Sequence, residues 1–225
     1  HLYTYRHLFQ LRKKGIPVVL LDRYVEGEDF DFVASDSRDA TRRAIRYLLK
    51  MGHRKIAFLG SYFNAPASII FDEYRKVLRE KHIQFDQRLV FSLNRGFRSS
   101  MEEGYATMKH FLNGEKKFTA LLGNNDGVMT SAYRVLKEKG YRVPEDVSLI
   151  SMTDSSLAQY FDVPLTAVRQ DTYRVGYYAA KLLFKKINTS FYKKTGSISA
   201  TGTNRVFVKT ELVVRKSVMK VKDGK

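Results

Sequence analysis

Two short stretches carry the side chains best suited to holding a small polar molecule. Asn125-Asp126 follows the apolar run from Thr119 to Leu122, and Thr153-Asp154 follows the run from Val147 to Met152. An amide donates and accepts, a hydroxyl does both, and an ionised carboxylate only accepts. A few such groups converging on a crevice fix a ligand's orientation. The same residues suit plainer work, because Asn and Asp are preferred helix N-caps. Asn125 or Asp126 reads as a cap, with its neighbour left to face a crevice. Phe97, in NRGFRSS, is an aromatic platform for a sugar ring or an anchor for its own loop.

Most enzyme chemistry finds no support. The chain has no GxGxxG or GxxxxGK[ST] phosphate cradle, no GxSxG elbow and no HExxH helix. His1, His7, His53, His82 and His110 stand at no mutual ligand spacing and read as structural or surface groups. Cysteine is absent, which removes disulfides, thiolate metal sites and cysteine nucleophiles together. The chain reads as a binding protein rather than an enzyme, with no cofactor and no metal.

The 225 residues suffice for one large domain or two small lobes with a real core. Net charge is +17, from 40 Lys+Arg against 23 Asp+Glu. That balance suits nucleic-acid binding. Yet the basic residues come as scattered pairs, such as Lys13-Lys14, Arg42-Arg43 and Lys185-Lys186. They read as solvated helix faces and a lysine-rich tail. No apolar run approaches the ~20 residues of a membrane span, and no signal-peptide pattern opens the chain. A reducing, cytoplasmic setting is expected.

Positioning the candidate residues falls to alternating strands and helices. Ile16–Asp22, Ile56–Gly60, Leu89–Ser92, Thr119–Leu122 and Val147–Met152 read as strands. Helices are expected from Asp36 or Ser37 to Met51, from Pro66, from Ser99 or Ser100, from Asn125 or Asp126 to Gly140, and from Asp171 to Ile187. Gly52-His53 and Gly140 read as helix stops. Alternation from Val206 to Val214 predicts a half-exposed strand or hairpin, and residues 188–203 a loop. Strands separated by helices form parallel sheets, whose ligands sit outside the strands' carboxyl ends. Gly60-Ser61, Asn125-Asp126 and Thr153-Asp154 should therefore border one crevice.

GIPVVLLDR, GHRKIAF, VPEDVS and PLTAVRQ, at their mutual spacing, resemble the effector-sensing core of the lactose/galactose-repressor family over residues 15–218. The resemblance implies an α/β, two-lobed, periplasmic-binding-protein-like (type I) fold with parallel sheets, the ligand lying between lobes joined by three crossing strands. The first lobe, incomplete in this chain, would hold 1–52 and 163–188. The second would hold 53–162 and 189–218, with 219–225 a basic tail. The crossings would fall at Gly52-His53, Val163-Pro164 and 188–203.

By the same resemblance the natural chain is expected to be longer, with a DNA-binding module upstream. A small effector, a sugar or derivative, would be held by Asn125, Asp126, Thr153, Asp154, Ser68, Phe97 and Asp39. Ser68 stands where the family often has an arginine, and Thr153 where it has the first of two aspartates, so the effector's identity stays open. A homodimer is implied, with Met129, Thr130, Tyr133 and Phe161 as candidate surface residues. The effector would shift the population of lobe arrangements and so the DNA-binding heads. The rival reading is a sugar-binding protein of a transport system.

Overall fold

The computed structural model describes residues 5–25, 27–61, 67–93, 101–114, 118–194 and 204–221. In chain order its elements begin α1 (Arg6–Lys13), β1 (Val19–Leu21), β2 (Asp31–Ser35), α2 (Ser37–Lys50), β3 (Ile56–Gly60), α3 (Ala67–Glu80), β4 (Val90–Ser92) and α4 (Met101–Phe111). Then come β5 (Ala120–Gly123), α5 (Asp126–Glu138), β6 (Ser148–Ser151), β7 (Thr166–Gln170), α6 (Thr172–Lys194), β8 (Arg205–Val208) and β9 (Thr210–Val213). They fall into two compact units, one of His1–Asp36 with Asp171–Lys209, the other of Ser37–Gln170 with Thr210–Lys225.

The second unit is built on a sheet of order β4-β3-β5-β6-β7-β9, parallel throughout except that β9 runs antiparallel to β7. Every residue of β3 is buried. Successive strand side chains point to opposite faces, so Ile56 and Phe58 join one core while Ala57 and Leu59 join the other. The first core is closed by α2 and α3, through Ala44, Ile45, Leu48, Tyr74 and Val77. The second is closed by α4 and α5, through Met108, Val128, Ala132 and Val135. A strand covered on both faces has no polar alternation, which is why IAFLG and SLIS read as apolar runs.

The first unit is smaller. Its parallel sheet has the order β1-β2-β8. α6 lays Val175, Ala179 and Leu182 against Val33, Val206 and Val208. Alternate residues face away from α6, where Tyr24 stacks on Phe32 at 4.8 Å and Phe207 meets Phe32 edge-on at 5.3 Å.

Three expectations require correction. The alternating segment 206–214 is neither one strand nor a hairpin: β8 pairs with β2 in the first unit, and β9 pairs with β7 in the second. α6 continues through residue 194 instead of stopping at Ile187. The units part after Asp36, Gln170 and Lys209, not after 52, 162 and 188. At the first boundary the cause is α2, whose buried Ala40, Ala44, Ile45 and Leu48 pack with Phe58 and Tyr74 of the second unit; at the second it is β7, which pairs with β6 and β9.

Candidate functional site: the carboxyl edge of the second unit

Strand order fixes where a crevice can form. From β3 the chain passes outward to β4, then returns across β3 to build β5 on its other side. That reversal is a topological switch point, and open α/β sheets take their ligands outside the carboxyl ends there. Leu59 and Gly123 sit side by side across the β3–β5 pair, so Gly60 and Asn124 face each other just beyond. Asn124 N–H donates to the Leu59 carbonyl at 3.1 Å. Its side chain lies directly over Gly60, where an added Cβ would fall 2.5 Å from the amide carbon. Gly123 in turn leaves room for the Met129 thioether.

Asn125 is the N-cap of α5, its Oδ1 accepting from Val128 N–H at 2.9 Å. Its Nδ2 donates to Asn124 Oδ1 at 3.3 Å, linking the two amides. The Thr153 hydroxyl joins the next strand end to the same turn. Thr153 Oγ1 accepts from Asp126 N–H at 2.9 Å and lies 3.3 Å from Asp126 Oδ1, to which it donates. Gly127 N–H donates to that same carboxylate oxygen at 3.0 Å. Asn125, Asp126 and Thr153 are thus brought together, all half-buried. Ser68, also half-buried, occupies the first turn of α3, which follows β3 and so starts on this edge. The orphan N–H groups of such a turn carry partial positive charge. Phe97 lies outside the described residues.

Asp154 and Asp39 go elsewhere. The Asp154 side chain is 3% exposed, with Arg215 Nη1 2.7 Å from its Oδ1. That contact is an ion pair without hydrogen-bond alignment. Its Oδ2 accepts from Arg169 Nε and Arg215 Nη2, each at 3.0 Å. Asp154 therefore ties the segment after β6 to β7 and to the chain leaving β9, rather than facing the edge with Thr153. Asp39 pairs with Arg43 at 2.8 Å, and Arg43 donates to the Thr210 carbonyl at 2.6 Å. Thr210 pairs with Gln170 where β7 meets β9. β9 is three strands from β5, about 14 Å at the usual strand spacing.

Of the residues expected on a dimer surface, Met129 is wholly buried in the core beneath Gly123. α5 covers sheet and α4 at once, so its apolar face is wider than the stripe through Val128 and Ala132. Thr130 is half-buried, its hydroxyl donating to the Asp126 carbonyl at 2.9 Å. Tyr133 and Phe161 meet edge-to-face at 5.2 Å. They line a cavity of about 530 Å³ together with Leu157 and Tyr160, which are 61% and 77% exposed. Those two exposed residues, and a ligand role for Asn124, escaped the sequence reading. The signal for Asn124 was the doublet Asn124-Asn125, since a cap needs only one short acceptor.

Among the described residues no group of three His, Asp or Glu could hold a metal, and no helix is long and apolar enough to cross a membrane.

Parallel sheets wound with helices, with polar groups gathered at a switch point, define a ligand-binding domain of the periplasmic-binding-protein-like class. The family model described as "Periplasmic binding protein-like domain" matches residues 45–218. The chain belongs to this family, in the form of the effector-binding domain of LacI/GalR-family transcriptional regulators. The HTH-type transcriptional repressor PurR of Vibrio atlanticus is 29% identical over 210 residues, 93% of this chain and 59% of that protein. The transcriptional regulator CelR, solved as a cellobiose complex, superposes with a TM-score of 0.80 at 28% identity, over 92% of this chain and 60% of that one. A regulatory protein of the LacI family from Chloroflexus aggregans gives a TM-score of 0.82 at 23% identity, over 96% and 73%. The chain thus spans 59% of the length of the PurR relative it matches. These relatives are transcriptional regulators, not enzymes.

Proposed function

We propose that this chain is the sensor and dimerisation portion of a ligand-responsive transcriptional regulator. Its effector is a small polyhydroxylated molecule, a sugar or sugar derivative, held at the carboxyl edge of β3, β5 and β6. The observation that carries the reading is the Asn124 side chain lying over Gly60 at the switch point, coupled to Asn125 and flanked by Thr153. Amides and hydroxyls both donate and accept, as sugar hydroxyls require. The cellobiose complex of CelR, at 28% identity, supports the ligand class.

Regulation follows from differential affinity. An effector that binds one state of the chain better raises that state's population, and effector coupling of this kind is typically about 1–3 kcal/mol. The readout is a DNA-binding module on the same polypeptide, brought to its operator by a homodimer. The patch of Leu157, Tyr160, Phe161 and Tyr133 is the dimer surface, since exposed apolar patches of this kind mark protein contacts.

The test is a thermal-shift screen over sugars and sugar phosphates. A ligand at about 100 times its dissociation constant stabilises the fold by about 2.7 kcal/mol. The Asn124→Ala variant is expected to melt normally but to lose the shift. A full shift in that variant would move the site elsewhere. Sedimentation of Tyr160→Asp as a monomer, against a wild-type dimer, tests the second surface.

A further inference from the structure

A concave basic corner of the second unit takes no part in the carboxyl-edge site. α3 presents Asp72, Arg75, Lys76 and Arg79 to solvent, at spacings of three and four residues that place them on one face. Past its end the chain turns at His82, whose φ of +53° is left-handed. Ile83, Gln84 and Phe85 then fold back alongside the helix. The helix face and the returning segment enclose a cavity of about 650 Å³, within the range of small-molecule sites.

Three observations set this corner apart from an ordinary solvated helix end. Cations near a helix C-terminus commonly complement its dipole, but here the backbone already occupies the last carbonyls. Lys81 N–H donates to Val77 and Leu78, His82 N–H to Arg79, and Ile83 N–H to Leu78. Next, Arg42 and Arg88 nearby are neutralised by Glu73 and Asp86. By contrast, among the described residues the side chains of Lys76, Arg79 and His82 make no ion pair or hydrogen bond. Finally, the Arg75 guanidinium is held by rings, 5.1 Å from the Phe85 centroid and 5.8 Å from that of Phe71. Stacking fixes the fork without consuming its N–H donors.

We propose that this corner is a second ligand site, for a compact polyanion carrying two or more phosphate groups. Arg75, Lys76 and Arg79 bring three cations to one cavity that holds a single lining carboxylate, Asp72. Their mutual repulsion is relieved by a ligand of more than one negative charge. Phosphate oxygens match the guanidinium fork in geometry as well as charge. A small concavity favours a compact ligand over a nucleic-acid duplex, which needs an extended face. Arg75, Lys76 and Arg79 lie beyond Ser68 along α3, roughly 10 to 16 Å away at helical rise. Both sites can therefore be filled together, and neither proposal depends on the other.

Calorimetric titration of the 225-residue chain with inorganic tripolyphosphate, at low ionic strength where screening is weak, tests it. Saturable one-to-one binding is expected. It should weaken at least tenfold in the Arg75→Ala, Arg79→Ala double variant and severalfold in Arg75→Lys, which keeps the charge but loses the fork. Lys181→Ala, an exposed cation on α6, should bind as wild type. The exchanged side chains are all exposed, so an unchanged circular dichroism spectrum is expected, with only a small fall in melting temperature from the lost Arg75 stacking. Any thermal shift by a sugar should survive in the double variant. Absence of saturable binding, or equal weakening by Lys181→Ala, overturns the proposal. So does binding of a short DNA duplex here that tripolyphosphate fails to displace, which would assign the corner to a polymer backbone instead.

Discussion

The second unit keeps polar groups in two contrasting settings. At the ends of β3 and β5, Asn124 and Asn125 are half-buried, as is Thr153 after β6. Elsewhere polar groups are sealed. Asp154 lies under Arg169 and Arg215, and His53 is clasped between Thr119 Oγ1 at 2.9 Å and the Met219 carbonyl at 3.0 Å. Thr153 and Asp154 are adjacent in sequence yet fall on opposite sides of this divide. Polarity at a strand end is therefore not in itself a site. What decides is whether the protein takes the group out of water, as it does the Asp154 side chain.

Breaking the sealed setting should have the largest effect. Asp154→Ala leaves Arg215, whose side chain is 15% exposed, without its carboxylate. Removing one member of a buried pair strands the other charge. A loss of about 3 kcal/mol is expected in urea unfolding, with any effector binding by the folded fraction retained. An effector affinity that collapsed without a stability loss would return Asp154 to the open group.

Gly60→Ala attacks the open setting. The new Cβ would displace the Asn124 amide, at an expected cost of about 1–3 kcal/mol for overpacking. Effector-induced stabilisation should disappear altogether. Thr153→Val removes the hydroxyl between Asp126 and β6, with an expected loss of about 1 kcal/mol. Because that hydroxyl braces α5, the thermal midpoint should fall even without effector.

The smallest expected effect is pH-dependent. Burial lowers the His53 pKa below its ordinary 6.5, opposed by the bond to the Met219 carbonyl. That carbonyl only accepts, so Nε2 carries the proton and Nδ1 accepts from Thr119. The unfolded chain then binds a proton more readily than the folded one. This contribution to stability is complete above pH 6.5 and is lost progressively as pH falls below it. Urea midpoints for wild type and His53→Gln, compared at mildly acid and neutral pH, should show a flatter slope in the variant.

Much of the second unit was legible in the residue pattern. β3 was placed at Ile56–Gly60, and the inward faces of α2, α3 and α5 follow their helical spacing. Gly52 and Gly140 do stop their helices, at φ +89° and +77°. Misses share a cause in tertiary partners. DFVAS gives β2 only because β1 and β8 flank it. TAVRQ, to which the residue pattern assigns no strand, becomes β7 because β6 and β9 complete its ladder. The Val206–Val214 pattern holds no sign that the chain changes sheets at Lys209. In the candidate site, Asn125, Asp126 and Thr153 were found because strand ends announce them. The fate of Asp154 was hidden, since its captors Arg169 and Arg215 are distant in sequence and belong to the β7–β9 pair.

Among the described residues the order β1-β2-β8 leaves β1 at a border of the first unit's sheet. A terminal strand exposes a row of main-chain donors and acceptors, and those groups pair with whatever extended chain they meet. Leu21, at its end, is 55% exposed and adds a greasy contact to that adhesive rim. Handled at high concentration, the isolated polypeptide should self-associate along this border, and light scattering that rises with concentration but is suppressed by Leu21→Lys would trace the stickiness to one ribbon of backbone.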